Sequence, residues 1–186
     1  MGNIKSVYNA FKHLGAEPIV AKKPTEIDGD RIVLPGVGAF ANGIKNLEPF
    51  IPRIKEASSK SPLLGICLGM QVFFESSEEP PSMEGMKLLR GKVVRVQTGL
   101  KLPHIGWNLL KVTRSNCPLF RGIDNGYVYF THSYHAVPEE DVVTAVVDYG
   151  CTITAAVWKN NIFGTQFHPE KSGAIGLKIL RNFLEL

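Results

Sequence analysis

Pro62-Leu63-Leu64-Gly65-Ile66-Cys67-Leu68-Gly69-Met70-Gln71-Val72-Phe73-Phe74 is an apolar run that changes character in its middle. Residues 62–66 suit a strand buried on both faces, as in the interior of a parallel sheet. From Cys67 to Phe74 the pattern suits a helix. The glycines stand two before and two after one cysteine, which is the nucleophile-elbow pattern G-x-Nuc-x-G with sulfur in the serine position. A sharp strand-to-helix turn brings backbone segments close together, so glycine is needed on both sides. The turn holds the sulfur at the carboxyl end of a strand. The helix N-terminus beside it favours a thiolate through its dipole and free N–H groups. The competing reading is a buried structural cysteine between two unrelated glycines.

On either side of this run, strand-like and helical patterns alternate. Residues 31–34 read as a strand ending in Pro35-Gly36-Val37-Gly38, and residues 18–21 as another. Ile4, Val7, Tyr8, Phe11 and Leu14 recur at helical spacing before Gly15; residues 39–47 and 52–58 also read as helices. Residues 93–96, 107–112, 127–131, 142–147, 152–158 and 161–167 read as strands, rich in Val, Thr, Tyr and Trp between glycine or proline turns. The last helix, over 172–186, puts Ile175, Ile179, Leu180 and Phe183 on one face, with Ser172 as its N-cap. This order predicts a single α/β domain over residues 1–186, an open, mostly parallel mixed sheet flanked by helices.

Composition excludes several classes. Hydrophobic residues at 44% and charged residues at 20% are ordinary globular usage, not that of a disordered chain. The net charge of +4 comes with no basic run longer than Lys22-Lys23, so no nucleic-acid surface is expected. There is no apolar stretch of about 18 residues to span a membrane, and no signal-peptide order at the start. Cys67, Cys117 and Cys151 are odd in number and form no CxxC pair, which argues against both a disulfide framework and a cysteine zinc site. The chain reads as cytoplasmic. Met1-Gly2-Asn3-Ile4-Lys5-Ser6 fits a myristoylation signature, but the same residues open the first helix, and a lipid there would displace its apolar face.

A thiolate nucleophile needs a proton shuttle. His168-Pro169-Glu170 ends a strand-like run, and positions i and i+2 of an extended segment face the same way. His168 can therefore serve as general acid and base, with Glu170 accepting its other N–H to fix tautomer and orientation. Pro35-Gly36-Val37-Gly38, between a strand and a helix, can aim a backbone N–H at a developing oxyanion. Val37 N–H and Leu68 N–H are the two candidate donors. A phosphate loop is the weaker reading, because neither G-x-x-x-x-G-K-[ST] nor G-x-G-x-x-G is present. His132-Ser133-Tyr134-His135 has an H-x-x-H look, but strand alternation would part the two histidines and no acidic or cysteine ligand adjoins them. No metal or organic cofactor is expected. His13 is expected on the exposed side of the first helix.

Together these motifs resemble the class I, triad-type glutamine amidotransferases. The resemblance runs over nearly the whole chain. Leu102-Pro103-His104-Ile105-Gly106-Trp107-Asn108, Thr131-His132-Ser133-Tyr134 and His168-Pro169-Glu170-Lys171-Ser172 are similar to the branch serving histidine biosynthesis. The resemblance implies hydrolysis of glutamine to glutamate and ammonia. It also implies a (β/α)₈-barrel cyclase partner in a heterodimer, which uses the ammonia to make imidazole glycerol phosphate. By motif, Cys67 is the nucleophile, His168 the acid/base and Glu170 the orienting acid. Gly36, Gly38, Gln71, Ser133 and Tyr134 match glutamine-holding positions, and Lys171, His104, Trp107 and Tyr129 match the face turned to the partner. The family also implies that the oxyanion loop becomes active only when the partner is loaded. It further implies an opening apolar strand ending in a Tyr-Gly-x-Gly-Asn type turn; here Gly2-Asn3 stands where that turn would end, so the first strand is expected to be missing. The competing functions are a glutaminase of another pathway, a stand-alone cysteine hydrolase and a non-catalytic regulatory module.

Overall fold

The structure is a computed structural model that describes residues 3–186; Met1 and Gly2, and with them the lipidation pattern read at Gly2, lie outside the described residues. The chain runs through α1 (Ile4–His13), β1 (Ile32–Gly36), α2 (Phe40–Leu47), α3 (Ile51–Ser58), β2 (Leu63–Cys67) and α4 (Leu68–Gln71). Then come β3 (Ser76–Ser77), β4 (Met83–Glu84), β5 (Gly91–Arg95), β6 (His104–Val112), β7 (Asn125–His132) and β8 (Tyr134–Pro138). The last elements are β9 (Val143–Asp148), β10 (Thr152–Lys159), β11 (Ile162–Thr165) and α5 (Gly173–Leu184).

Seven strands form one mixed sheet in the order β1-β2-β11-β10-β9-β6-β7. The pairs β1–β2 and β2–β11 are parallel. The remaining neighbours, β11–β10, β10–β9, β9–β6 and β6–β7, are antiparallel, so the antiparallel share is larger than expected. Strand β2 is buried along its full length, as the apolar run predicts. Leu64 and Ile66 enter a core shared with Val7, Phe11, Phe163 and Phe183, under α1 and α5. Leu63 enters the opposite core with Phe40, Leu47 and Ile54, under α2 and α3. Burying these side chains contributes about 1.5–3 kcal/mol each. His13 is exposed on α1, as expected, while Val7, Ala10 and Phe11 form its buried face.

Several expectations are corrected. Residues 18–21 are not a strand, and Ile19 is 88% exposed. An apolar segment becomes a strand only where a sheet edge takes up its N–H and C=O groups. Among the described residues β1 has a strand neighbour on the β2 side only. The helix read over 67–74 ends after Gln71; Phe73 and Phe74 are fully buried, and their carbonyls accept from Leu88 N–H and Lys87 N–H instead. Of the second, four-stranded sheet, β4-β3-β5-β8, the sequence pattern signalled only β5, read over residues 93–96. Strand β8 follows β7 across the single residue Ser133, so the chain passes from one sheet to the other without a turn.

Candidate active site

The elbow is built as the glycine spacing requires. Cys67 adopts φ 55°, ψ −110°, a conformation that costs a non-glycine residue free energy and that is found most often at functional turns. A Cβ on Gly69 would lie 1.7 Å from the Leu34 carbonyl oxygen, and one on Gly65 would lie 2.5 Å from the Gly69 oxygen. Side chains at either position would therefore push β1, β2 and α4 apart. Cys67 itself is 6% exposed, at the carboxyl end of β2.

The parallel pairing brings the other candidates to the same sheet end. Gly36 pairs with Cys67, so Val37 and Leu68, each one residue further on, both follow that pair. Gly38 takes a left-handed φ of 103° with open space around it. On the other side of β2, Thr165 pairs with Ile66, which carries the following residues past Cys67 to His168. His168 Nδ1–H donates to Glu170 Oε1 at 2.7 Å, and both side chains are wholly buried. The tautomer is fixed by this bond, because a carboxylate only accepts. The other ring nitrogen, Nε2, is buried and unpartnered. Burial alone would lower the His168 pKa; the neighbouring Cys67 and Glu170 side chains outweigh it and raise the pKa to about 9. The raised value favours the protonated ring at neutral pH, beside Cys67. Open or loose nucleophile–base geometry is usual before substrate binds.

Gln71 Nε2 donates to the Tyr134 carbonyl at 2.8 Å and to Gln166 Oε1 at 3.0 Å. Gln166 Nε2 in turn donates to Cys67 Sγ at 3.7 Å, while the thiol points to the Thr131 carbonyl at 3.9 Å. Gln71 and Tyr134 are thus linked to the thiol through Gln166. Ser133 lies at the crossover between sheets, where its carbonyl accepts from Val96 N–H at 2.9 Å.

Three residues at the site escaped sequence reasoning or were assigned another job. Asn3 donates from its side chain to Glu170 Oε1 and makes no cap bond to α1. Ser172 likewise caps nothing: its hydroxyl donates to His168 C=O at 2.6 Å and accepts from Tyr129 N–H at 3.0 Å, tying the turn after His168 to β7. Gln166 gave no signal of its own beyond its place in the run before His168.

The face expected to meet a partner divides in two. Trp107 and Tyr129 pair across β6 and β7 with ring centroids 6.2 Å apart, and Lys171 Nζ sits 5.6 Å from the Tyr129 ring centroid. Trp107 is 55% exposed, and Ile105, Leu109 and Tyr127 on the same face are exposed too. His104 belongs elsewhere. It is 2% exposed and stacks between Phe130 and Tyr149 at 4.7 Å and 3.9 Å, because strand alternation turns 104 inward where 105, 107 and 109 point outward. His132 and His135 sit on different strands, and among the described residues no group of three His, Cys, Asp or Glu side chains could hold a metal. Among those residues no helix is long and apolar enough to cross a membrane.

The family model for glutamine amidotransferase class-I matches residues 1–186. The imidazole glycerol phosphate synthase subunit HisH of Methanothermobacter thermautotrophicus is 45% identical over 187 residues, covering 100% of this chain and 94% of that protein. The HisH subunit of Methanosarcina barkeri is 47% identical over 192 residues, covering 100% and 95%. A crystal structure of a glutamine amidotransferase superposes with a TM-score of 0.77 at 20% identity, over 99% of this chain and 93% of that one, which shows a shared fold. With the full chain matched and the HisH proteins 45–47% identical over it, the chain belongs to the class-I glutamine amidotransferases, among the imidazole glycerol phosphate synthase HisH subunits.

Proposed function

We propose that this chain is the glutaminase subunit of an imidazole glycerol phosphate synthase, working in the cytoplasm in histidine biosynthesis. The observation that carries the reading is the buried His168–Glu170 pair set against a cysteine on a strained elbow. Cys67 thiolate attacks the side-chain carboxamide carbon of glutamine. The oxyanion that forms is held by Val37 N–H and Leu68 N–H. His168 passes its Nε2 proton to the leaving nitrogen, ammonia departs, and a glutamyl thioester remains on Cys67. His168, now neutral, takes a proton from water as the hydroxide adds to the thioester carbonyl. Collapse expels Cys67 thiolate and yields glutamate. Glu170 accepts from His168 Nδ1–H and orients the ring. Gly36, Gly38, Gln71, Ser133 and Tyr134 form the wall that holds glutamine.

Ammonia is delivered to a (β/α)₈-barrel cyclase. The docking face is the apolar side of β6 and β7, with Trp107, Tyr129 and Lys171 at its centre. Exposed aromatic and aliphatic side chains in one contiguous patch favour a protein partner. Thr131, whose carbonyl touches Cys67 Sγ, is on β7, so the docking strands adjoin the thiol. The test is glutamate release by the purified chain, alone and with a barrel cyclase carrying its nucleotide ligand. Slow release alone and strong stimulation by the loaded cyclase are expected; equal rates would indicate a stand-alone hydrolase.

A further inference from the structure

We infer that Gln166 is a further catalytic residue of this site: its side-chain amide donates a hydrogen bond to Cys67 Sγ and favours the thiolate over the thiol. The inference rests on reading Cys67 as the nucleophile.

The register places Gln166. Thr165 pairs with Ile66, so the next residue of that run lies beside Cys67. Its backbone N–H is tied to Ala155 C=O at 2.8 Å, and the residue is fully buried. A buried primary amide costs free energy unless its N–H and C=O groups find partners.

The orientation of the amide is forced from a backbone group. The Tyr134 carbonyl can only accept, so the Gln71 atom 2.8 Å from it is nitrogen. That nitrogen's second N–H points to Gln166 3.0 Å away, which makes the facing Gln166 atom its carbonyl oxygen. Gln166 nitrogen is then the atom turned to sulfur, at 3.7 Å. The Tyr134 carbonyl is held from a second side. His132 Nδ1–H donates to it at 2.9 Å, leaving His132 Nε2 to accept from His104 Nδ1–H at 3.1 Å. His104 Nε2 accepts from Asn108 Nδ2–H at 3.3 Å, whose other N–H is held by Asp148 C=O at 2.8 Å. Every donor and acceptor in the chain has one consistent direction, so the Gln166 N–H cannot turn away from Cys67 without orphaning another group.

Sulfur accepts weakly as a thiol and strongly as a thiolate, so this donor stabilises the charged form. The preference acts twice in the reaction. It raises the thiolate fraction before attack. It also stabilises sulfur as the leaving group when water has added to the thioester.

The test is site-resolved alkylation of Cys67 by iodoacetamide, followed on the Cys67 peptide by mass spectrometry from pH 6 to 10, with glutamate release measured in parallel. In Q166M, which keeps length without an N–H, alkylation at pH 7 is expected to slow by about 10-fold, the scale of one charge-assisted hydrogen bond. It is expected to approach the wild-type rate at the alkaline end. Q166E keeps the acceptor for Gln71 but sets oxygen against sulfur; it also slows alkylation at pH 7, and it serves if Q166M does not fold. A folded variant whose alkylation profile overlays the wild type overturns the inference. If wild-type protein releases no glutamate with loaded cyclase while the Q166M alkylation profile still moves, the glutaminase reading fails and this one stands.

Discussion

His104 Nδ1 donates to His132 Nε2 at 3.1 Å across β6 and β7, and neither ring is more than 7% exposed. Burial lowers the His104 pKa to about 4; burial, and then repulsion from His104, lower that of His132 to about 3. An unfolded chain takes up protons at its histidines near 6.5. Between about 6.5 and 4 the unfolded state therefore binds more protons than the folded one, and stability falls as pH falls. His168 has the opposite sign. Its pKa is raised to about 9, so its contribution is fully present below about 6.5 and is lost as pH rises through 9. Urea midpoints measured from pH 4 to 10 should fall on both sides of a maximum near 6.5. H132Q should flatten the acid side and H168Q the alkaline side; an unchanged acid slope in H132Q would contradict the neutral dyad.

Gly69 and Gly38 should behave differently although both lie at the site. A Cβ at Gly69 meets the Leu34 backbone at 1.7 Å, whereas one at Gly38 meets nothing within 4 Å. G69A must displace a strand and should lose about 3 kcal/mol or more. G38A pays only for its left-handed backbone, about 1–2 kcal/mol. Chemical denaturation of both variants checks the order.

Ser172 should matter for activity without touching substrate. S172A removes the acceptor of Tyr129 N–H, which is part-buried, and the donor to His168 C=O, which is buried. A loss of about 1–3 kcal/mol in stability is expected, together with a lower kcat, because the turn that aims His168 loosens. Unchanged turnover in a folded S172A protein would show that Tyr129 and Pro169 hold the turn alone.

His168 and Glu170 should rank by their jobs. On the proposed mechanism H168A removes the group that carries the proton to the leaving nitrogen, and should cost about 10²–10⁴-fold in turnover. E170Q keeps a carbonyl oxygen to accept from Nδ1–H and should cost less. Steady-state rates with loaded cyclase compare the two; a larger loss in E170Q would assign Glu170 a proton-transfer step.

Much of this architecture is legible in the residues themselves. The Gly65-Ile66-Cys67-Leu68-Gly69 spacing specifies a turn that only glycines permit, and apolar periodicity marks α1, α2, α3 and α5 within a residue or so. What fails to read is whatever depends on a distant partner. Residues 18–21 have strand composition but pair with no strand among the described residues. Strands β3 and β4 are two residues each, too short to carry a period, and β8 emerges from β7 without a turn residue. In the site, Cys67, His168 and Glu170 announce themselves through local motifs. Gln166 sits 99 positions from Cys67, and Asn3 sits 167 from Glu170, so only the folded register joins them. The inward turn of His104 follows from strand alternation with Trp107, yet only the Phe130 and Tyr149 rings reveal how deeply it is held.

The central claim is that Cys67 attacks glutamine and carries the glutamyl group. Acid quench during turnover with loaded cyclase, followed by mass spectrometry of the Cys67 peptide, tests it directly. A glutamyl adduct on Cys67 in wild-type protein, lost with glutamate release in C67A, is the predicted result. Undiminished glutamate release by C67A would contradict it.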